Sequence, residues 1–120
     1  MKFDVYGVGN ALVDKEFEVD ESFFQDHGIE KGLMTLGTDE ESLRLLGILT
    51  KKYGIKKQAG GGSAANTLYA VSQFGGKAFF SCKVASDETG DFFLKELGDQ
   101  KIQTNSQTQC DDGLTGRCLI

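Results

Sequence analysis

The sequence predicts an α/β fold in which helices flank a predominantly parallel sheet. From residue 55 onwards, strand-like and helix-like patterns alternate at the spacing of crossover connections, which is typical of parallel sheets. Capping residues or glycines bound these helical patterns, so the element boundaries are indicated locally as well. The chain has 120 residues, 39% of them hydrophobic and 26% charged, which is typical of one soluble domain.

The first 36 residues are interpreted as extended segments around one short helix. Residues 3–9 alternate in hydrophobicity and predict a buried strand, which continues into a second extended segment around residues 17–19. Asp20 has the position of an N-cap for a helix over residues 21–27. Residues 33–36 form a short apolar run and predict a further strand.

A longer amphipathic helix is predicted from Thr38 onwards. Thr38 and Glu41 have the spacing of a capping box, in which each side chain bonds the backbone of the other residue. The helix ends at Gly54, and its apolar stripe consists of residues at helical intervals, namely Leu43, Leu46, Leu49 and Tyr53.

Two strand-helix pairs are predicted after Gly54. Residues 55–58 form a weak strand candidate before the glycine cluster at 60–62, and Ser63 is expected to cap a helix over residues 64–74. Residues 78–85 then predict a buried strand, and residues 87–100 a further helix. At its beginning, Asp87 is expected to act as a cap rather than as a ligand.

The last residues predict a new strand. A turn signal at residues 111–113 precedes an apolar extended run over residues 114–120. Because the sequence stops inside this run, we expect the chain to be the amino-terminal part of a longer protein. In the alternative interpretation, residues 118–120 close a sheet as its last strand.

Charge and hydropathy exclude several classes of protein. The net charge of −5 and the absence of a basic cluster disfavour a nucleic-acid partner. No apolar run approaches the roughly 18 residues of a membrane span, and Asp4 interrupts any signal-peptide core. We therefore expect a cytoplasmic protein without a membrane partner.

The cysteines and the single histidine do not predict a metal site. Cys82, Cys110 and Cys118 lack the spacing of zinc ligands, and His27 is near the end of a short helix. Cys82 belongs to an apolar run and is expected to be buried. Cys110 and Cys118 are expected to be a reduced pair, although a disulfide across a hairpin is the alternative.

The first glycine motif does not support dinucleotide binding. The run from Gly7 to Gly9 would need a third glycine and a helix opening at the loop, but position 12 is Leu and the following residues are β-patterned. The sequence also contains no phosphate loop ending in Gly-Lys-Ser or Gly-Lys-Thr.

Residues 59–66 are the most informative stretch of the sequence. Consecutive glycines allow backbone to approach a ligand closely, and the N–H groups of a following helix make a partly positive surface. Asn66 would offer a donor and an acceptor to the same space. The alternative is a flexible loop before an ordinary capped helix.

These residues, taken together, resemble the ribokinase-like (phosphofructokinase B type) carbohydrate kinases. The glycine cluster with Asn66 resembles the first signature of that family, and residues 9–14 resemble its opening strand. Residues 84–90 are similar to the family's Val-Gly-x-Asp-x-x-Gly step, except that Ala85 replaces the glycine. Residues 115–117 resemble the approach to a second lid segment, and Arg117 there could face either substrate or solvent.

The resemblance implies a ribokinase-like fold with a small β lid. Residues 1–14 and 37–107 would form the α/β core, and residues 15–36 and 108–120 the lid segments, both incomplete. In many members of the family the lid also pairs subunits, which implies a homodimer. The long opening segment and the stretch to residue 36 lean towards adenosine-kinase-like members.

The resemblance also implies a function. A complete protein would transfer the γ-phosphoryl group of ATP, with Mg²⁺, to a primary hydroxyl of a sugar or nucleoside. The implied substrate-binding residues are Asn10, Asp14, Met34, Leu36, Gly61, Gly62 and Asn66. The family's Gly-Ala-Gly-Asp anion hole, which carries the catalytic Asp, is absent from the sequence, so this chain alone is expected to be inactive.

Two alternatives remain open. Asp14 would accept hydrogen bonds from a vicinal diol, or its carboxylate would merely cap a turn. The whole chain would serve a kinase, or it would be a non-catalytic domain that binds a small ligand or a partner through the same glycine-rich pocket.

Overall fold

The computed structural model describes residues 2–105 and 112–120. Six strands and four helices lie within these residues. In chain order they are β1 (Val5–Val8), β2 (Leu12–Glu16), α1 (Glu21–Asp26), α2 (Asp39–Lys52), β3 (Lys57–Gly61), α3 (Ser63–Gln73), β4 (Ala78–Ser81), α4 (Glu88–Asp99), β5 (Gln103–Thr104) and β6 (Gly116–Leu119). Within the described residues, no helix is long and apolar enough to cross a membrane.

The chain divides into two compact units. The first consists of Met1–Asp14 and Gln58–Cys118, and the second of Lys15–Lys57 and Leu119–Ile120. The structure thus groups α2 with the second unit, whereas the sequence suggests that residues 37–57 belong to the core. That residues 15–36 and 108–120 act as a lid stays a prediction.

A parallel sheet forms the centre of the first unit. Its strands have the order β1-β4-β5, and both pairings are parallel. Val5 lies opposite Ala78, and Phe79 lies opposite Gln103. The predicted parallel sheet is therefore confirmed, although β4 ends at Ser81 rather than at residue 85.

One face of this sheet is covered by α3 and α4. Both helices contribute to a core whose largest fully buried side chains are Val13, Leu68, Phe80, Phe93 and Leu97. Burying one such side chain stabilises a fold by about 1.5–3 kcal/mol, so this layer accounts for much of the stability of the first unit. Cys82, 7% exposed, extends the core as predicted.

The opposite face of the same sheet is open. Tyr6 and Val8 alternate with the inward residues of β1 and are 62% and 72% exposed. The Tyr6 ring stacks on Phe79 of β4, with 5.1 Å between the ring centroids. Parallel sheets are normally covered on both faces, so this is an unusually apolar surface for the chain to present to water.

The second sheet has the strand order β3-β2-β6. Its third strand is the run predicted at the end of the sequence. At that end, Ile120 donates its N–H to the Lys15 carbonyl at 2.9 Å and accepts from the Phe17 N–H at 2.7 Å. Backbone hydrogen bonds to Lys15 and Phe17 therefore hold Ile120 beside the end of β2.

The capping box that begins α2 is confirmed. The Thr38 hydroxyl accepts from the Glu41 N–H at 3.2 Å, and the Glu41 carboxylate accepts from the Thr38 N–H at 2.9 Å. These hydrogen bonds lower the pKa of Glu41. Leu49 is buried in this helix, and Gly54 follows it with a φ of +77°.

Three local predictions are wrong. Residues 33–36 form no strand, and their apolar side chains have no cover within the second unit, since Met34 is 84% and Leu36 89% exposed. Ser63 is not an N-cap, because Gly62 takes that position and Ser63 begins the helix. The strand expected at residues 55–58 lies instead at β3 and includes two glycines of the cluster.

Glu96 joins α4 to this glycine strand. Its carboxylate accepts a hydrogen bond from the Gly60 N–H, and the Tyr69 hydroxyl lies 3.5 Å from the same oxygen. The pKa of Tyr69 is raised to about 12, first by burial and then by the charge of Glu96 and this hydrogen bond. The carboxylate therefore lies between α3, α4 and β3.

We predict that Glu96→Gln lowers the pKa of Tyr69 below about 12. Removing a nearby negative charge favours the tyrosinate, whereas the remaining burial keeps the pKa above the ordinary value of about 10. A pH titration followed by NMR of ring-labelled tyrosine measures this. Asp91→Asn, at an exposed position of the same helix, is the control. An unchanged Tyr69 pKa in Glu96→Gln would contradict the contact.

We also predict that the isolated 120-residue chain associates with itself through the open sheet face. Exposed apolar sheet surface favours association, and Val8→Lys places a charge on this face. Sedimentation equilibrium should show oligomers for the unmodified chain and a shift towards monomer for Val8→Lys. Leu43→Lys, on α2, is the control and should associate as before. A monomeric unmodified chain at high concentration would rule out this role for the face.

Candidate functional site

A cleft of about 610 Å³ opens in the first unit where β1 ends and α3 begins. Residues 9–12 form one part of its lining, and residues 62–64 another. Lys83 and Gly116 complete it. The cleft thus contains two of the predicted substrate-binding residues, Asn10 and Gly62, whereas Asp14, Gly61 and Asn66 lie outside its lining.

Gly62 makes the turn that leads from β3 into α3. Its φ of +93° lies in the region that favours glycine, and its backbone takes the N-cap position. A Cβ on Gly62 would lie 3.4 Å from the Asn10 carbonyl oxygen, so these two predicted residues are in contact. The glycine cluster is therefore the end of a strand followed by a tight turn, not a flexible loop.

The amino-terminal end of α3 faces the cleft, since Ser63 and Ala64 belong to its lining. Amide groups in the first turn of an eleven-residue helix carry partial positive charge. Such a surface suits hydroxyl oxygens and anions. The binding role that the sequence suggests for residues 59–66 stays a prediction.

The Asp14 carboxylate lies against the glycine strand. A Cβ on Gly61 would be 3.0 Å from Asp14 Oδ2, because β2 and β3 are neighbours in the second sheet. Asp14 is half-buried. It lies in the middle of β2, and its proximity to Gly61 arises from the pairing of β2 with β3.

Asn66 is the fourth residue of α3 and is exposed. Its backbone N–H donates to the Gly62 carbonyl at 2.9 Å, which ties the turn to the helix. It is not part of the cleft lining, which includes Ser63 and Ala64 of the same helix. Met34 and Leu36 belong to the second unit, where both are exposed.

Lys83 is a cleft residue that sequence reasoning missed. It is exposed and follows β4, and it contributes a cationic side chain to a lining otherwise made of small or neutral residues. No motif distinguishes this lysine in the sequence. Its position becomes visible only when β4 is placed beside β1.

Cys118 is not suited to nucleophilic chemistry. Burial raises the pKa of its thiol, and the negative charge of Asp14 raises it further. The thiol therefore stays protonated near neutral pH. The predicted relation between Cys110 and Cys118 lies outside the described residues, because Cys110 is not among them.

The described residues do not offer a site for a metal ion. Across residues 2–105 and 112–120, no group of three His, Cys, Asp or Glu side chains is close enough to bind one. No catalytic step is therefore assigned to a metal on this chain.

Comparison with known proteins identifies relatives over most of the chain. The guanosine-inosine kinase of Escherichia coli strain K12 is 28% identical over 118 residues, which is 96% of this chain and 27% of that protein. The model for the pfkB family carbohydrate kinases matches residues 33–120.

Solved structures agree with this result. The adenosine kinase from Sinorhizobium meliloti has 36% identity and a TM-score of 0.75, over 100% of this chain and 36% of that one. A probable sugar kinase from Rhizobium etli CFN 42 has 34% identity and the same TM-score of 0.75, over 98% and 34% of the two chains.

The chain spans between 27% and 36% of the length of these relatives. Their fold is that of the parallel sheet and flanking helices described above. Because the family model covers most of the sequence, this chain belongs to the pfkB family of carbohydrate kinases.

Proposed function

We propose that this chain forms the acceptor-binding part of a kinase that phosphorylates a primary hydroxyl of a nucleoside or sugar. The contact between Asp14 and Gly61 is the observation that carries this proposal. It brings the Asp14 carboxylate next to the backbone of a glycine, and the following residue, Gly62, lines the cleft. The nucleoside kinases among the relatives favour a nucleoside acceptor.

Asp14 would bind the acceptor through a vicinal diol. A carboxylate accepts two charge-assisted hydrogen bonds from neighbouring hydroxyls, and such bonds are about twice as strong as neutral ones. Gly61 has no side chain on that side, which allows the carboxylate to lie directly against the backbone. Asn10 and Gly62 would continue this surface into the cleft, with Asn66 at its margin.

The amino-terminal end of α3 and the Lys83 side chain would stabilise negative charge on the reacting hydroxyl of the acceptor. The partial positive charge at the beginning of α3 favours the oxygen that gains negative charge as its proton leaves. Lys83 adds positive charge to the same cleft. That Met34 and Leu36 bind the substrate, as the family resemblance implies, stays a prediction.

ATP is the proposed phosphoryl donor, and we place its site in the remainder of a longer protein. The sequence contains no phosphate loop, and the described residues hold no group of three His, Cys, Asp or Glu side chains that could bind a metal ion, so neither ATP nor Mg²⁺ is assigned to residues of this chain. What the chain contributes is the position of the acceptor. Holding reactants in line accounts for much of the rate enhancement in phosphoryl transfer.

We predict that Asp14→Ala in the full-length protein lowers kcat/KM for the acceptor by about 30- to 1000-fold, equivalent to about 2–4 kcal/mol. Asn66→Ala should cost less, because its hydrogen bonds are neutral. Transfer of radiolabel from γ-labelled ATP to adenosine, guanosine, inosine, ribose and fructose measures both and identifies the acceptor class. Asp26→Ala, at an exposed carboxylate, is the matched control. Unchanged kinetics of Asp14→Ala on every acceptor would refute the assignment.

We further predict that the isolated 120-residue chain transfers no phosphoryl group. An acceptor half-site cannot align donor and acceptor, and the sequence lacks the family's Gly-Ala-Gly-Asp segment. The same radiolabel assay, run beside the full-length protein, checks this. Because contaminating kinases are a common artefact, Asp14→Ala chain purified identically is the control. Turnover that disappears in this control would contradict the prediction.

A further inference from the structure

The half-buried Asp87 and the buried Thr115 form a hydrogen-bonded group that the proposed acceptor site does not use. Asp87 Oδ2 accepts from the Thr115 N–H at 2.8 Å, and the Thr115 hydroxyl donates to Asp87 Oδ1 at 2.6 Å. The same hydroxyl accepts from the Ala85 N–H at 3.0 Å. These bonds, which we name the Asp87–Thr115 clamp, join the beginning of α4 to the beginning of β6.

The clamp does more than cap a helix. Capping needs only the bond from the Gly90 N–H to Asp87 Oδ1, which is 2.7 Å long. The other bonds reach a residue 28 positions away that is 3% exposed. Each of the two clamp residues thus has several hydrogen-bond partners, and the chain that leads into β6 is fixed at Thr115.

Electrostatics reinforce the clamp. The Arg117 side chain is 7% exposed, and its Nη2 lies 3.9 Å from Asp87 Oδ2. Burial opposes ionisation of Asp87, but the hydrogen bonds from Thr115 and Gly90, together with the charge of Arg117, leave its pKa below the usual value. The carboxylate is therefore ionised near neutral pH. Arg117, whose direction the sequence left open, lies beside this carboxylate.

The residue after Thr115 forms part of the cleft wall. A Cβ on Gly116 would lie 2.8 Å from the Ala11 carbonyl oxygen, so the two backbones are in close contact. Gly116 and Ala11 both line the cleft. Because Thr115, the residue before Gly116, is fixed by the clamp, the position of Gly116 in the cleft wall depends on Asp87 and Thr115, although neither belongs to the lining.

We propose that Asp87 and Thr115 are positioning residues for the acceptor: they hold Gly116 against Ala11 and thereby fix this part of the cleft wall. This inference rests on the proposed function, because the role is defined by acceptor binding. Neither residue touches the acceptor. Loss of the clamp should therefore weaken acceptor binding while leaving the donor unaffected.

The test compares Thr115→Val and Thr115→Ser in the full-length protein. Valine keeps the shape but removes the hydroxyl, so we expect the KM for the acceptor to rise about tenfold, with the KM for ATP unchanged. Serine restores the hydroxyl and should bring the acceptor KM back to within about twofold of the unmodified protein. Lys95→Ala, which removes an exposed ion pair on α4, is the control and should change neither constant.

A second variant changes the cleft wall at Gly116 and leaves the Asp87–Thr115 clamp intact. Gly116→Ala places a methyl group against the Ala11 carbonyl and should also raise the acceptor KM, even if Thr115→Val fails to fold. An unchanged acceptor KM in Gly116→Ala, or equal rises for acceptor and ATP in Thr115→Val, would overturn the positioning role alone. If the unmodified full-length protein phosphorylates no sugar or nucleoside, the proposed function fails first, and the positioning role with it.

Discussion

The contact between Asp14 and the backbone of Gly61 depends on the pairing of β2 with β3. Strand pairing fixes which residues lie opposite each other, and a shift by one residue would turn the carboxylate to the other face of the sheet. Gly61 makes the approach feasible, because any side chain there would meet the carboxylate oxygens. The candidate site therefore follows from the register of one strand pair and one glycine.

Two groups outside the cleft support this arrangement. Glu96 holds the Gly60 N–H, one residue before Gly61, and is itself part of α4. Asp87, which caps the same helix, accepts a hydrogen bond from Thr115, the residue before Gly116 in the cleft lining. A single helix consequently anchors both the glycine strand and the beginning of β6. This connects the packing of α4 against the sheet to the geometry of the cleft.

Local signals explain which elements were predictable from sequence. The capping box of α2 is contained within four residues, and the Asp87 carboxylate accepts from an N–H three residues away. The sequence therefore predicts both helix caps correctly. Residues 33–36 have the composition of a strand, but a strand also requires a partner, and none pairs with them among the described residues. The N-cap is Gly62 and not Ser63. Gly62 has a positive φ, a conformation that non-glycine residues such as serine rarely adopt.

The parts of the site that depend on distant residues were not predictable. Asp14 and Gly61 were both proposed from the resemblance, but their contact comes from pairing between strands 47 positions apart. No sequence pattern indicated that Thr115 bonds Asp87, or that Lys83 lines the cleft. Such contacts are consequences of topology, and a single sequence carries no periodic signal for them.

The central claim is that Asp14 binds the acceptor beside Gly61. A crystal structure of the full-length protein with a bound nucleoside or sugar tests it most directly, through the distance between the Asp14 carboxylate and the nearest acceptor hydroxyl. We predict two hydroxyl oxygens within about 2.6–3.2 Å of this carboxylate, with the ring against the backbone of Gly61. An acceptor bound elsewhere, with no hydroxyl within hydrogen-bond distance of Asp14, would contradict the account.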